Sequence, residues 1–436
     1  MYIHSATIEN IRSIKKFNMK FDPHEYCGWH VIIGDNGAGK STLVRAIALA
    51  LIGPNEAAAL RQNWADWLRQ EETNGRIMLN IDHNPQYDKR TGKGKSITKY
   101  YIPARLLFIQ SKLKRPPYVR MSVTRTKINA KFYIWGEGKG WFSASYGPFR
   151  RFTGGKKDYE KLFYSNPRLA PHLSVFGEDV ALTECLDWIQ TLHIKQLENH
   201  TEGQILDHVK TFINEGGLLP HNTLLDKVTA DAVIFRDGNN CRVAIEQLSD
   251  GYRSVLSLTI ELIRQLVRTY GPKKVFKEIK EGRMRINMPG VVLIDEIDAH
   301  MHPTWQRRVG MWFCQYFPKI QFLVATHSPL VCHAAEKGTV WRLPNPGTDF
   351  PGGRVKGIEL DRLVFGNILE AYDTELFGQD VTRSESSKEK LERLAQLNIK
   401  SLHGKLSAKE KRELRELRAI LPTATDAGYT SDGGNH

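Results

Sequence analysis

The first apolar positions read as a strand from Tyr2 to Ile8, a turn over Asn10 to Ser13 and a second strand around Phe17 to Phe21. An unbroken apolar run, Trp29 to Ile33, then feeds a glycine-rich loop. Leu43, Ile47 and Leu51 recur at helical spacing and predict an amphipathic helix over Lys40 to Leu51. Residues 76–146 read as strands. Over 158–226 the character changes: Leu182, Leu186, Ile189 and Leu192 mark one amphipathic helix, and Ile205, Val209 and Ile213 a second. A hairpin is expected over residues 232–245, turning at Asp237-Gly238. Val255, Leu258, Leu262 and Leu266 form the apolar face of a further helix, and Val291 to Ile294 and Phe322 to Ala325 read as two buried strands. Near the C-terminus, Ser386/Glu389 and Ser407/Glu410 both fit a capping box, predicting helices over Ser386 to His403 and Ser407 to Leu421. Pro422 ends the second, and the polar residues 422–436 are expected to be disordered. The whole is an α/β pattern without repeats or sustained heptads, which excludes a long coiled coil.

Composition narrows the class. A chain of 436 residues has room for two to three domains at ~150 residues each. With 41% hydrophobic and 25% charged residues it is an ordinary globular protein and neither a fibre nor a disordered chain. No stretch approaches the ~18 consecutive apolar residues of a membrane span, and the start lacks a signal-peptide core, so a cytoplasmic protein with no membrane partner is expected. The five cysteines, scattered without a CxxC pair, point to reduced thiols. The net charge of +14 is concentrated: between Asp88 and Lys157 there are eighteen basic residues and two acidic ones. Aromatic residues interleave with these charges, so the region is a candidate surface for a phosphate backbone, with Lys112, Lys114, Arg115, Arg150 and Arg151 as candidate contacts. A solvated basic face is the alternative.

Four short segments carry chemistry. Gly34 to Ser41 fits G-x-x-x-x-G-K-[ST] after an apolar strand and before a helix. In that setting Asn36, Gly37 and Gly39 turn backbone N–H groups towards phosphate, Lys40 reaches the β- and γ-phosphates, Ser41 ligates Mg²⁺, and Thr42 completes the ATP-binding set. The strand Val291 to Ile294 ends in two carboxylates. Asp295 is the candidate metal ligand and Glu296 the candidate catalytic group that polarises the attacking water. The strand Phe322 to Ala325 ends in Thr326-His327, which puts His327 forward as a second catalytic candidate. Between them, Gln247-Leu248-Ser249-Asp250-Gly251-Tyr252-Arg253 opens the helix of Val255 to Leu266.

In this order the four segments resemble those of the ABC-type ATPases. The turn Asn10-Ile11-Arg12-Ser13 and the run Asp-Glu-Ile-Asp at 295–298 are similar to the RecF/SMC branch. The resemblance covers residues 1–52 and about 227–345 closely and the intervening part in general plan. It implies an ATPase head that binds ATP and Mg²⁺ and converts ATP and water to ADP and phosphate. Its parts would be a lobe over 1–157, a helical subdomain over 158–226, a second lobe over 227–372 and a helical C-terminal extension over 373–421. It also implies a homodimer or higher homo-oligomer in which Ser249 and Gly251 of one copy close on the phosphate held by Lys40 of another. Asp250 stands where the wider family has the first glycine of its signature pair. Asp298 and residues 299–303 stand where transporter-type members carry their own aspartate loop. For the glutamine that links the lobes, Gln110 is a candidate and the turn Tyr146 to Arg150 the favoured position. Arg12 is either a contact to base or α-phosphate or a structural turn residue.

Only 209 residues separate Lys40 from Ser249, too few for the long arms of SMC proteins. The remaining compact head, with HSPLVCHAAEKG after the Thr-His strand and a helical extension, is similar to the ATPase subunits of Septu and retron-associated anti-phage systems, which work with a separate HNH nuclease. The alternatives are a RecF-like DNA repair ATPase and a nucleotide-gated scaffold with little turnover.

Overall fold

The computed structural model describes residues 1–88, 90–91, 101–111, 118–124, 126, 128–135, 141–148, 165–177, 183–348, 350–366, 385–402 and 406–420. The five candidate nucleic-acid contacts between Lys112 and Arg151 lie outside them. The chain divides at Ala371/Tyr372 into two compact units.

Three sheets build the first unit. Strands β1 (Tyr2–Ile11), β2 (Ile14–Lys20), β4 (Asn74–Asp82), β5 (Ile102–Ser111) and β6 (Tyr118–Val123) form an antiparallel sheet in the order β2-β1-β4-β5-β6. Along β4 and β5 buried and more exposed residues alternate, the signature of one face packed and one wet. The second sheet runs β14-β13-β3-β12-β11-β7, from β3 (Gly28–Ile33), β7 (Ser143–Tyr146), β11 (Gly290–Ile294), β12 (Ile320–Ala325), β13 (Gly338–Arg342) and β14 (Gly353–Arg354). All its pairings are parallel except β13 with β14. Every residue of β3, β11 and β12 is buried, as a parallel sheet covered on both faces requires. Strands β8 (Leu224–Val228), β9 (Val233–Arg236) and β10 (Arg242–Ala244) make a small antiparallel sheet that contains the expected hairpin.

Helix α1 (Lys40–Ile52) packs against β1, β4 and β5 of the first sheet and β7, β11 and β12 of the second. The sequence suggests an amphipathic helix, yet eleven of its thirteen residues are buried, Val44, Ala46 and Ala48 included. It is buried because it is sandwiched between two sheets, and its small alanines allow the close approach. Gln321, the polar residue in β12, is buried too, and its amide exchanges two hydrogen bonds with the backbone of Ile3, at 2.7 and 3.0 Å, tying β1 to the parallel sheet. Helices α2 (Thr183–Leu197) and α3 (Gln204–Glu215) fall where the spacing predicts. They are followed by α4 (Asp250–Tyr270), α5 (Pro303–Tyr316) and α6 (Ile358–Phe365). Gln110, the other candidate for the lobe-linking glutamine, lies within β5 of the antiparallel sheet and not after a strand. Among the described residues no single helix is long and apolar enough to cross a membrane.

In the second unit α7 (Glu385–Leu402) and α8 (Ala408–Ile420) pair through Leu394, Leu397, Leu414 and Leu417, all buried, with a bidentate Arg393–Glu413 pair at 2.8 and 2.9 Å. The Ser407/Glu410 box closes as expected: the Glu410 N–H donates to the Ser407 hydroxyl at 3.2 Å and the Ser407 N–H to the Glu410 carboxylate at 2.9 Å. The box at Ser386/Glu389 is a correction, because α7 already runs from Glu385 and leaves Ser386 inside the helix.

Candidate functional site

Because β3, β12, β11 and β7 are parallel, their C-terminal ends lie along one edge, the usual place for a ligand in an open α/β sheet. There β3 gives way to residues 34–39 and α1 begins. Gly37 and Gly39 have φ of 81° and 99°, which a side chain resists. At Gly39 a Cβ would also come within 2.7 Å of the Ser13 hydroxyl and 3.0 Å of Ile14, so the β1–β2 turn packs directly against the loop. Asp35, Asn36 and Gly37 are exposed, Ser41 is half-buried and Thr42 is buried. The Lys40 ammonium lies under the loop, only 5% of the residue exposed, and donates to the carbonyls of Gly34 at 2.6 Å and Asp35 at 3.1 Å. The loop thus presents a buried cation and the N-terminus of a thirteen-residue helix, an arrangement that suits an anion.

The carboxylates arrive from β11. Asp295 is buried, and its N–H donates to the carbonyl of Tyr146 at the end of β7 at 2.8 Å. Tyr146 pairs with Ile294 in the ladder, which sets the favoured lobe-linking turn beside Asp295. Its later residues, Phe149 and Arg150, lie outside the described ones. Glu296 adopts φ 48°, a left-handed conformation that costs a non-glycine residue about 1–3 kcal/mol and is typical of functional turns. Asp298 accepts from the Thr326 hydroxyl at 2.5 Å, which locks the loop after β11 onto the end of β12. His327 follows Thr326.

Burial lowers the Lys40 pKa, while Asp295, Asp35, Glu296 and Asp298 act against it. Desolvation, with help from Lys40, likewise lowers that of His327, against Asp298, Glu296 and Asp295. The imidazole is therefore neutral at pH 7. One cation and one neutral base share the same three carboxylates, so residues up to 287 positions apart in sequence form one electrostatic cluster.

Arg12, at φ 48° in the β1–β2 turn, is half-buried over the Trp67 ring at 4.7 Å, and its Nε donates to the Asp66 carbonyl at 3.3 Å. These are structural contacts of a turn residue; the turn nevertheless adjoins the phosphate loop through Ser13 and Gly39. Ser249 and Gly251 stand apart. Ser249 is exposed at the N-cap of α4, where a serine commonly bonds the helix backbone, but its hydroxyl makes no capping bond. A Cβ on Gly251 would lie 2.8 Å from the carbonyl of His300, so glycine is what lets α4 approach the loop that follows Glu296. Among the described residues no hydrogen bond joins this segment to the phosphate loop. Sequence reasoning also missed the Asp298–Thr326 bond and the contacts Ser13–Gly39 and Gly251–His300. Each joins residues far apart in the chain, and no local signal announces them.

Residues 5–134 match the family model "AAA domain", and residues 158–332 match "AAA domain, putative AbiEii toxin, Type IV TA system". Over 124 residues the chain is 36% identical to the "Retron Ec83 probable ATPase" of Escherichia coli, covering 28% of this chain and 21% of that protein. Over 345 residues it is 23% identical to the "Septu protein PtuA" of Bacillus mycoides (strain KBAB4), covering 78% of this chain and 40% of that one. The chain thus spans less than half the length of these curated relatives. A crystal structure of an SMC head bound to the C-winged helix domain of ScpA aligns over 82% of this chain and 99% of that one at 15% identity, with a TM-score of 0.47. The recombination mediator RecF with ATP aligns over 81% and 98% at 11% identity, with a TM-score of 0.40. With its phosphate loop, acidic strand end and serine–glycine helix in one α/β unit, the chain carries two AAA-domain matches and is similar to the ATPases of the Septu and retron systems.

Proposed function

We propose that the chain is the ATP-hydrolysing subunit of an anti-phage system, in which ATP-dependent pairing of two copies controls a separate HNH-type nuclease. The single observation that carries the catalytic part is the shared field of Lys40 and His327, each acted on by Asp295, Glu296 and Asp298. A buried ammonium beside exposed loop N–H groups fits a triphosphate, and the Ser41 hydroxyl with the Asp295 carboxylate is an all-oxygen donor pair of the kind Mg²⁺ prefers. Bound there, Mg²⁺ would neutralise charge on the β- and γ-phosphates. Lys40 would hold the γ-phosphate. Glu296 would orient a water and take its proton as the water oxygen bonds to phosphorus and the ADP oxygen leaves. Neutral His327 would donate one N–H to the γ-phosphate or to that water.

The regulatory part is supported by the unused hydroxyl of Ser249. If Ser249 and Gly251 of one copy each give a charge-assisted hydrogen bond at ~1.5–3 kcal/mol, two sites supply about 6 kcal/mol or more. That exceeds the ~5.5 kcal/mol needed to turn a two-state equilibrium from open to closed. Phosphate release would then reopen the pair. The Septu relative supports the defence setting, and the basic stretch 88–157 supports nucleic acid as a further ligand.

The test is ATP turnover by wild type and Glu296→Gln. The proposal expects turnover to fall by about 10²–10⁴-fold while ATP affinity is retained. Equal, negligible turnover in both proteins would make the chain a nucleotide-gated scaffold and refute the hydrolytic reading.

A further inference from the structure

Tyr252, which follows the serine–glycine pair, borders a cleft. Its hydroxyl donates to the Pro220 carbonyl at 3.4 Å and its ring lies 6.2 Å from that of Trp305. The cleft, about 490 Å³, runs between the loop 217–222 and α5. On α5, Trp305, Arg308, Trp312 and Gln315 fall at i, i+3, i+7 and i+10 and form one stripe facing it. Met311 also lines it and stays 47% exposed, an adaptable apolar side chain in contact with water.

The walls are fixed. The Trp312 Nε1 donates to the Gly216 carbonyl at 2.6 Å, and its ring stacks on Tyr316 with centroids 4.7 Å apart. In the facing loop, His221 and Asn222 have φ of 54° and 55°. Two successive non-glycine residues in the left-handed region store strain of the kind that marks binding loops. The charge is one-sided: Arg308, exposed and not ion-paired among the described residues, lines the cleft. Among the described residues no carboxylate lines the cleft.

We infer that this cleft docks an acidic segment of a partner protein, with one aromatic or aliphatic side chain inserted beside Met311 and a carboxylate paired with Arg308. Nucleic acid fits less well. Trp312 is already stacked on Tyr316 and in T-shaped contact with Phe212 and Phe313, so it offers no free face to a base, and one guanidinium group does not track a backbone. Docking itself is independent of ATP hydrolysis. That an occupant would press through Trp305 and Tyr252 on the N-terminus of α4, and so on Ser249, rests on the function proposed above.

A display library of random short peptides, selected on the full-length wild-type chain and counter-selected on Arg308→Glu, tests the inference. The expected survivors carry a large apolar residue flanked by Asp or Glu. They should bind Arg308→Glu and Met311→Lys at least about tenfold more weakly than wild type. Unchanged affinity of both variants for a labelled ATP analogue shows that they fold. Survivors without acidic bias, or no peptide that distinguishes the proteins, would overturn it. So would a labelled single-stranded oligonucleotide whose binding is lost in Arg308→Glu, since the cleft would then belong to nucleic acid.

Discussion

The phosphate loop and the serine–glycine segment each open a helix, yet one is closed by its own chain and the other is left open. Lys40 is buried and held by two carbonyls, the β1–β2 turn packs against Gly39, and carboxylates from β11 surround the site. Ser249 is exposed with an uncommitted hydroxyl, and Gly251 is shaped by close approach to His300. The first is a complete cradle. In the function proposed above, the second is a grip whose object lies outside the chain.

Removing the cradle should have the largest effect. Lys40→Ala takes away the buried cation, and affinity for a fluorescent ATP analogue should drop by about 10²-fold or more. Near-normal affinity would mean that Lys40 serves only to brace Gly34 and Asp35. The grip should respond differently. In Gly251→Ala the new methyl meets a backbone carbonyl at 2.8 Å, so α4 must shift, at about 1–3 kcal/mol. Turnover should fall and become more dependent on protein concentration, while the ATP affinity of the dilute chain stays at the wild-type value. Equal losses of affinity and turnover would erase the distinction between the two regions.

A smaller effect probes the body of α4. Glu184 on α2 is half-buried near the Glu261–Arg264 pair of α4, whose bidentate contacts are 2.7 and 2.8 Å, and desolvation pushes the Glu184 carboxyl up to about 7. A carboxyl whose folded pKa lies above its unfolded one contributes stability that is complete below the unfolded value near 4.5 and is lost as pH rises through about 7. Glu184→Gln cannot lose it. The variant's Tm should therefore gain a few degrees over wild type between pH 5 and pH 8. A difference that does not change with pH would show that Glu184 is not desolvated beside α4 as described.

The parts of the site that lie within one strand–loop–helix segment were legible in the sequence. Gly34 to Ser41, Asp295-Glu296 and Thr326-His327 each sit at the end of an apolar run, and a run of that length is enough to place them at strand ends. Assembly was not legible. Nothing local says that β3 lies between β12 and β13, that Tyr146 pairs beside Asp295, or that Asp298 accepts from Thr326. Helix α1 looked amphipathic because spacing reports one face, whereas two sheets bury it all round. The Ser386 box failed where the Ser407 box held, since a capping pattern cannot tell an N-cap from a serine inside a helix that has already begun.

Mixing two inactive variants tests the open grip most directly. Lys40→Ala disables a cradle and Ser249→Arg disables a grip, and each protein alone should be inactive. If the grip serves a second copy, an equal mixture forms pairs in which one site combines an intact Lys40 with the other copy's intact Ser249. Turnover should then recover to about a quarter of the wild-type value, since half the pairs are mixed and each has one good site of two. Turnover no higher than the sum of the separate variants would show that each chain completes its own site and would contradict a grip shared between copies.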